Sequence, residues 1–430
     1  MSSQALLDRI RHDKRIWAHR VLTKHDQNPF FRVMKSVNAP VVDVENRSVI
    51  MMGSNNYLGL ADHPVVRAGA AAALERYDAT VTGSRLLNGT ITLHTELEEE
   101  LADWHGTDQA LVFTTGYQAN LGGISALVGV GDTVVVDSAA HASIYDACRL
   151  SRATVRAFRH NRVDLLEDKL SRSTGVVLVV VDGLYSMHGD LAPLDEVAAV
   201  CEKYDAALFV DEAHSVAVMG PDLTGAAGLF GAADDIDARM GCLSKGLGSS
   251  GGFVAGSKDI VDAMRVHART FLFTTAGVPA ALGAALAAIR LMRTDEGAER
   301  SRRTLANARY LHDGLRAAGV DVGAPSPLPD GSDLVSPIVA VNVRDDLKTV
   351  NTWRTLWDAG VFASAAMFPA VPHDGAILRL CVQADHTTDH LDRVIEEVGK
   401  VLGDGSDHAN GQSAPDEVGA ALASPVPVGA

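Results

Sequence analysis

The 430-residue sequence predicts an α/β fold, with a large domain on a mostly parallel seven-stranded sheet and a smaller α+β part at the C-terminal side. Two observations carry this. From Gln109 onward, short apolar runs alternate with stretches of helical periodicity, the pattern of a parallel sheet covered on both faces. After a helical stretch over about 278–292, a long helical pattern and only two strand-like runs follow, which marks a second and smaller unit.

Residues from about 3 to 24 read as one amphipathic helix, with Leu6, Leu7, Ile10, Ile16, Trp17 and Val21 near helical spacing and bases between them. Short strands at 41–44 and 49–52 lead into a polar loop, Gly53-Ser54-Asn55-Asn56-Tyr57-Leu58-Gly59. Helices over 64–77 and 92–104 flank a second loop, 82–90. The seven strands of the large sheet are expected at 110–113, 133–136, 154–158, 176–181, 206–210, 240–243 and 252–255. The smaller part holds a helix near 302–318, strands at 338–343 and 377–382, and a last helix ending at Leu402. The chain thus divides into an N-terminal helix and arm (1–50), a large domain (51–290), a small domain (291–403) and a Gly-, Ser-, Ala- and Pro-rich tail (404–430) expected to be disordered.

A hydrophobic share of 47% with 21% charged residues is ordinary for a soluble enzyme, and the formal net charge of −16 argues against nucleic acid or an anionic membrane as the main partner. The four cysteines, Cys148, Cys201, Cys242 and Cys381, show no C-x-x-C spacing, so no metal site or disulfide framework is suggested and a reducing cytoplasm fits. No apolar stretch approaches membrane-spanning length, and the N-terminus has no signal-like apolar segment.

The stretch 208–252 carries the chemistry. A buried-strand run, Leu208-Phe209-Val210, stops on Asp211-Glu212-Ala213-His214. A second run ends in Ser244-Lys245 and a glycine-rich tract, the setting in which ligands gather in α/β sheets. Pyridoxal phosphate needs a lysine amine for its Schiff base and a carboxylate to keep the pyridine nitrogen protonated, and Lys245 and Asp211 suit those roles. Thr114-Thr115-Gly116-Tyr117 lies between a strand and a helical tract, where backbone amides form a phosphate site. His141 follows the strand 133–136, and Ser186 lies past the run 176–181. Four strand ends therefore bring polar residues to one rim.

At these residues the chain resembles the α-oxoamine synthases, a family of pyridoxal-phosphate enzymes, with a likeness to bacterial serine palmitoyltransferases, aminooxononanoate synthases, aminolevulinate synthases and aminoketobutyrate ligases. Asn55-Asn56-Tyr57-Leu58-Gly59-Leu60, Thr115-Gly116-Tyr117-Gln118-Ala119-Asn120, His141-Ala142-Ser143-Ile144-Tyr145-Asp146, Tyr185-Ser186-Met187, Asp211-Glu212-Ala213-His214 and Ser244-Lys245 carry the resemblance over roughly residues 45–400. It implies the aspartate-aminotransferase-like fold (fold type I). It further implies that Lys245 forms the Schiff base, Asp211 pairs with the pyridine nitrogen, His214 and Ser186 meet the ring hydroxyl, and His141 stacks on the ring. Gly116, Tyr117 and Ser244 would surround the cofactor, with Thr274 and Thr275 reaching the phosphate from a second subunit in a homodimer. Arg379, with Asn56 as a second candidate, would hold the carboxylate of an amino acid that condenses with an acyl thioester, on coenzyme A or a carrier protein.

Some positions depart from the family pattern. Cys242 replaces a threonine that contacts phosphate, His188 stands where relatives carry an acid, and Thr80-Val81 replaces a more glycine-rich approach. Two other readings remain open at this point: an aminotransferase of the same fold, and a silent partner subunit. The second should lack the lysine, which is present.

Overall fold

The computed structural model of the chain describes residues 3–403 and 416–422. All seven expected strands form one sheet. Across it they run Gln109–Phe113, Gly252–Gly256, Ala238–Cys242, Ala207–Asp211, Val177–Asp182, Thr133–Asp137 and Thr154–Phe158. Gly252–Gly256 is antiparallel to both of its neighbours, and every other pairing is parallel. The sheet is buried on both faces because each central strand is apolar on both. Val135, Val179, Leu208 and Val210 face one core, whereas Val134, Leu178, Val180 and Phe209 face the other.

The smaller part centres on Ile377–Cys381, which pairs antiparallel with Ile338–Asn342 on one side and Ser364–Ala366 on the other. Val41–Val44 and Arg47–Met51, assigned from sequence to an N-terminal arm, belong here instead. They form a hairpin whose second strand pairs in parallel with Val361–Phe362, and Val42, Val44 and Val49 share a core with Trp353, Leu356 and Val398. Burial of that apolar face explains why the arm does not stand alone.

Three further expectations change. The single helix over 3–24 is two, Ser3–Arg11 and Lys14–Lys24, because the Asp13 carboxylate accepts from the amides of Arg15 (2.9 Å) and Ile16 (3.1 Å) and so starts a second helix. A helix not expected from sequence, Asp346–Asp358, packs Trp353 and Trp357 into the small core. Within the tail expected to be disordered, Asp416–Leu422 forms a helix with Val418 fully buried; the rest of that expectation lies outside the described residues. Among the described residues no helix is long and apolar enough to cross a membrane.

One buried ion pair ties the loop before the helix Thr92–His105 to the large sheet. Arg85 donates to both oxygens of Glu98 (2.9 and 3.0 Å), and Glu98 also accepts from the Val112 amide at 3.0 Å. Removing one partner strands the other charge out of water. Glu98→Ala is therefore expected to destabilise the protein by about 3–5 kcal/mol, as read by urea unfolding.

Candidate active site

Asp211 is the last residue of its strand and stands in register with Asp182, the last residue of the neighbouring strand. Its position is fixed from two sides. One oxygen accepts from the Ala213 amide at 2.9 Å, and the other accepts from Asn120 Nδ2 at 2.6 Å. Asn120 lies on the helix Gly116–Leu127 and also donates to Ser143 Oγ at 2.9 Å, which in turn lies 2.7 Å from His141 Nδ1. His141 and Asp211 are thus joined through two buried polar side chains.

These groups open on a cavity of about 220 Å³ lined by Gly116, Tyr117, His141, Asp211, His214, Ser244 and Lys245, together with Thr115, Asn120, Ser143, Asp182 and Cys242. Thr115 caps the helix that starts at Gly116, its hydroxyl accepting from the Gln118 amide at 3.1 Å, and Thr115, Gly116 and Tyr117 at this helix start line the cavity. That helix start presses on the sheet. A methyl group on Gly116 would come within 3.0 Å of Cys242 Sγ, and one on Gly252 within 2.6 Å of Gly116 Cα. Cys242 Sγ lies 2.9 Å from Ser244 Oγ.

The electrostatics separate the titratable groups. Burial and the nearby Asp211 push the Asp182 carboxyl well above the usual carboxylate range. Burial lowers His141, with Asp211 opposing and Lys245 assisting. His214 is pushed well below its ordinary value by burial and by the cations Lys245 and Arg379. Both imidazoles are thereby biased to the neutral form.

Arg379 reaches this site from the small domain. Its guanidinium donates to the Ser186 carbonyl (2.5 Å), to Asn55 Oδ1 (3.0 Å) and to the Tyr57 hydroxyl (3.1 Å), and that hydroxyl lies 2.7 Å from His214 Nδ1. Arg379 is only 6% exposed. A strand-face arginine bathed in solvent is excluded.

The structure therefore gathers Gly116, Tyr117, His141, Asp211, His214, Ser244 and Lys245 around one cavity, with Ser186 and Arg379 beside it. Tyr117 contributes an exposed ring, edge-on to His141 at 6.4 Å and hydrogen-bonded to Asp146. Asn56 stands apart: its amide donates to the Asn38 carbonyl and accepts from the Ala61 amide, both at 3.1 Å, so it shapes the loop, and Asn55 is the residue that meets Arg379. Thr274 lines a separate small cavity with Arg85 and Thr270, and Thr275 bridges to Ser84. Sequence reasoning missed Asn55, Tyr57, Asn120, Ser143 and Asp182. Asp182 carried a usable signal, an acid ending the apolar run Val177–Asp182 just as Asp211 ends the next strand.

This fold and site define a pyridoxal-phosphate enzyme, and comparison with known proteins agrees. The aminotransferase class I and II family matches residues 47–398, and the chain belongs to that family. A serine palmitoyltransferase from Caulobacter vibrioides is 42% identical over 394 residues, covering 90% of this chain and 95% of the relative. An 8-amino-7-oxononanoate synthase from Geobacter sulfurreducens is 42% identical over 367 residues, covering 84% and 92%. A serine palmitoyltransferase solved with pyridoxal phosphate superposes with a TM-score of 0.85 at 37% identity, covering 90% of this chain and 96% of that one. The Sphingomonas wittichii serine palmitoyltransferase gives 0.84 at 35% identity, covering 89% and 94%. Within the family the chain stands with the α-oxoamine synthases, pyridoxal-phosphate-dependent acyltransferases. The residues present fit that cofactor: one cavity holds an amine, a buried carboxylate anchored by two donors, and a helix start suited to a phosphate.

Behind His141 a charged clamp fixes the loop that delivers it. His160 lies 3.0 Å from Asp137 Oδ1 and 2.6 Å from Asp190 Oδ2, and its ring packs edge-on against Tyr185 at 4.4 Å. Asp137 also accepts from the Ala139 amide at 2.7 Å, two residues before His141. Burial opposes the charge on His160, but the hydrogen bonds and Coulomb attraction of Asp137 and Asp190 outweigh it and raise the group to about 10. A raised folded-state value stabilises fully below the unfolded value near 6.5 and is lost as pH climbs towards 10. Unfolding free energy should therefore fall between neutral and alkaline pH, and His160→Gln should flatten that slope in a pH series of urea melts.

Proposed function

We propose that the chain condenses a small α-amino acid, serine first and alanine or glycine as alternatives, with a fatty acyl thioester on coenzyme A or a carrier protein, to give an α-amino ketone. The observation that carries this reading is the relay from Arg379 through Tyr57 to His214, which sets a cation for a carboxylate beside the cofactor cavity. Serine is placed first because relatives 42% and 38% identical to this chain are named serine palmitoyltransferases.

When bound, pyridoxal phosphate supplies an electron sink conjugated to the amino acid's Cα. Asp211, anchored by Asn120 and Ala213, would offer its carboxylate to the ring nitrogen and favour that nitrogen's protonated form. His141 offers a flat neutral ring at the cavity wall, and the neutral His214 adds no second positive charge. Lys245 supplies the amine that takes the Cα proton and later returns it to the same carbon. Arg379, its Nε committed to the Ser186 carbonyl and its Nη2 steadied by Asn55 and Tyr57, offers its remaining guanidinium N–H groups to the substrate carboxylate. A carbon–carbon bond forms between Cα and the acyl carbonyl. The thioester C–S bond breaks and the thiolate takes a proton from water, and the Cα–carboxylate bond breaks to release carbon dioxide.

The reading includes a homodimer with shared sites. Thr274 and Thr275 lie outside the wall of their own chain's cavity, as residues delivered to a second copy would. Mixing inactive Lys245→Ala subunits with inactive Thr274→Ala Thr275→Ala subunits should restore part of the activity once subunits exchange; exchange without recovery would assign each site to one chain.

The carboxylate role is tested at Arg379. Arg379→Ala should weaken amino-acid binding about ten- to hundredfold, the equivalent of about 1.5–3 kcal/mol, while cofactor affinity changes far less. Titrating the holoenzyme with serine while following the cofactor's absorbance reads both. Undiminished serine binding would return Arg379 to a purely structural role.

A further inference from the structure

A second and larger cavity, of about 510 Å³, lies outside the cofactor pocket and shares Arg379 with the amino-acid site. Its walls are mainly apolar, including Leu22, Phe30, Phe31, Met187, Met367 and Leu422. Met187 adjoins Ser186, whose carbonyl accepts from Arg379, so one side of the chamber is the side on which the amino acid is held. Another side is made by Ala421 and Leu422 of the helix Asp416–Leu422. That helix is anchored rather than loosely laid on: Val418 and Ala421 pack with Val21, Leu22, Val350 and Met367, and Glu417 pairs with Lys24 (2.7 Å) and His25 (3.0 Å).

We propose that this chamber takes the hydrocarbon tail of the acyl thioester, and that Leu422 and Ala421 set how long a tail fits. The inference rests on the reaction proposed above and adds its specificity determinant. A chamber that meets the amino-acid site at Arg379, carries charged and polar groups such as Lys14, Arg15, His19, Asp346 and His373 on part of its wall and is apolar over most of the rest suits a ligand with one reactive polar end and a long apolar remainder. Burial of each methylene contributes about 0.8 kcal/mol, so a wall that admits or refuses the last few carbons discriminates strongly between chain lengths. The family match ends at residue 398, and the wall formed by Ala421 and Leu422 lies beyond it. Chain-length preference is thereby set by a segment outside the shared catalytic frame.

The test uses full-length holoenzyme and the variants Leu422→Trp and Leu422→Ala. Binding is read by displacing cis-parinaric acid with saturated fatty acids from octanoate to stearate, and turnover by kcat/KM for octanoyl-CoA and stearoyl-CoA with serine, alanine and glycine. Leu422→Trp should lower the preference for stearate over octanoate by about tenfold, and Leu422→Ala should leave that preference intact or raise it. A merely structural role would move both variants in the same direction, and that result overturns the proposal. So does a parent that fails to bind parinaric acid, or a preference unchanged in Leu422→Trp. If binding shifts as expected but no thioester is turned over with any of the three amino acids, the chamber assignment stands and the reaction falls. Turnover with an unchanged length preference has the opposite meaning.

Discussion

Two carboxyl groups buried side by side, Asp182 and Asp211, impose the constraint on which the site depends. They end adjacent parallel strands in register, where a like charge next door makes double ionisation unfavourable. The conflict is resolved by driving Asp182 towards its neutral form, while Asp211 receives the amide of Ala213 and the side chain of Asn120. The helix Gly116–Leu127 must therefore lie close enough to the sheet for Asn120 to reach. The contacts at Gly116 and Gly252, where no β-carbon fits without displacement, are the packing expression of that requirement. Once the helix is seated, its first turn and Ser143 with His141 follow.

The second half of the site depends on how the small domain is fastened. Backbone bonds from Cys381 to the Met52 carbonyl (2.6 Å) and from Ala384 to the Tyr57 carbonyl (2.7 Å) stitch the strand Ile377–Cys381 and the residues that follow it to the loop carrying Asn55 and Tyr57. Thr304 adds a hydroxyl bond to the same Tyr57 carbonyl at 2.9 Å. A guanidinium on that strand is thus held relative to the cofactor cavity by main-chain hydrogen bonds, which tolerate little displacement. Tyr57, fully buried, is the common member of both networks.

Much of this was legible in the sequence because a parallel strand buried on both faces is a continuous apolar run, and a polar residue ending it must sit at the rim. Asp211 follows from that rule directly, and His141 and Lys245, in the turns just past the strands Thr133–Asp137 and Ala238–Cys242, follow from its extension to those turns. Tyr57 and Asn55 were not legible as site residues, since Arg379 lies 322 positions from Tyr57 and 324 from Asn55, His214 lies 157 from Tyr57, and a glycine-punctuated loop reads as turn chemistry. Asn120 was hidden inside a helical tract, where a lone amide gives no hint of its partner. The tail helix was missed for another reason: Asp-Glu-Val-Gly-Ala-Ala-Leu is too short to be helical alone and is stabilised by packing on Lys14–Lys24.

The pairing of Arg47–Met51 with Val361–Phe362 bears on how the chain acquires its fold during synthesis. Ile50 meets Val361 in register, so a strand made near the start of translation waits for a partner made near its end. The large sheet waits in the same way, because among the described residues Gln109–Phe113 is joined to it only through Gly252–Gly256. Folding from the N-terminus as the ribosome advances therefore leaves apolar strand edges unpaired for most of elongation, the condition under which nascent chains aggregate or recruit chaperones. The parallel strands Thr133–Asp137 through Ala207–Asp211 are the part of the sheet whose partners emerge in quick succession.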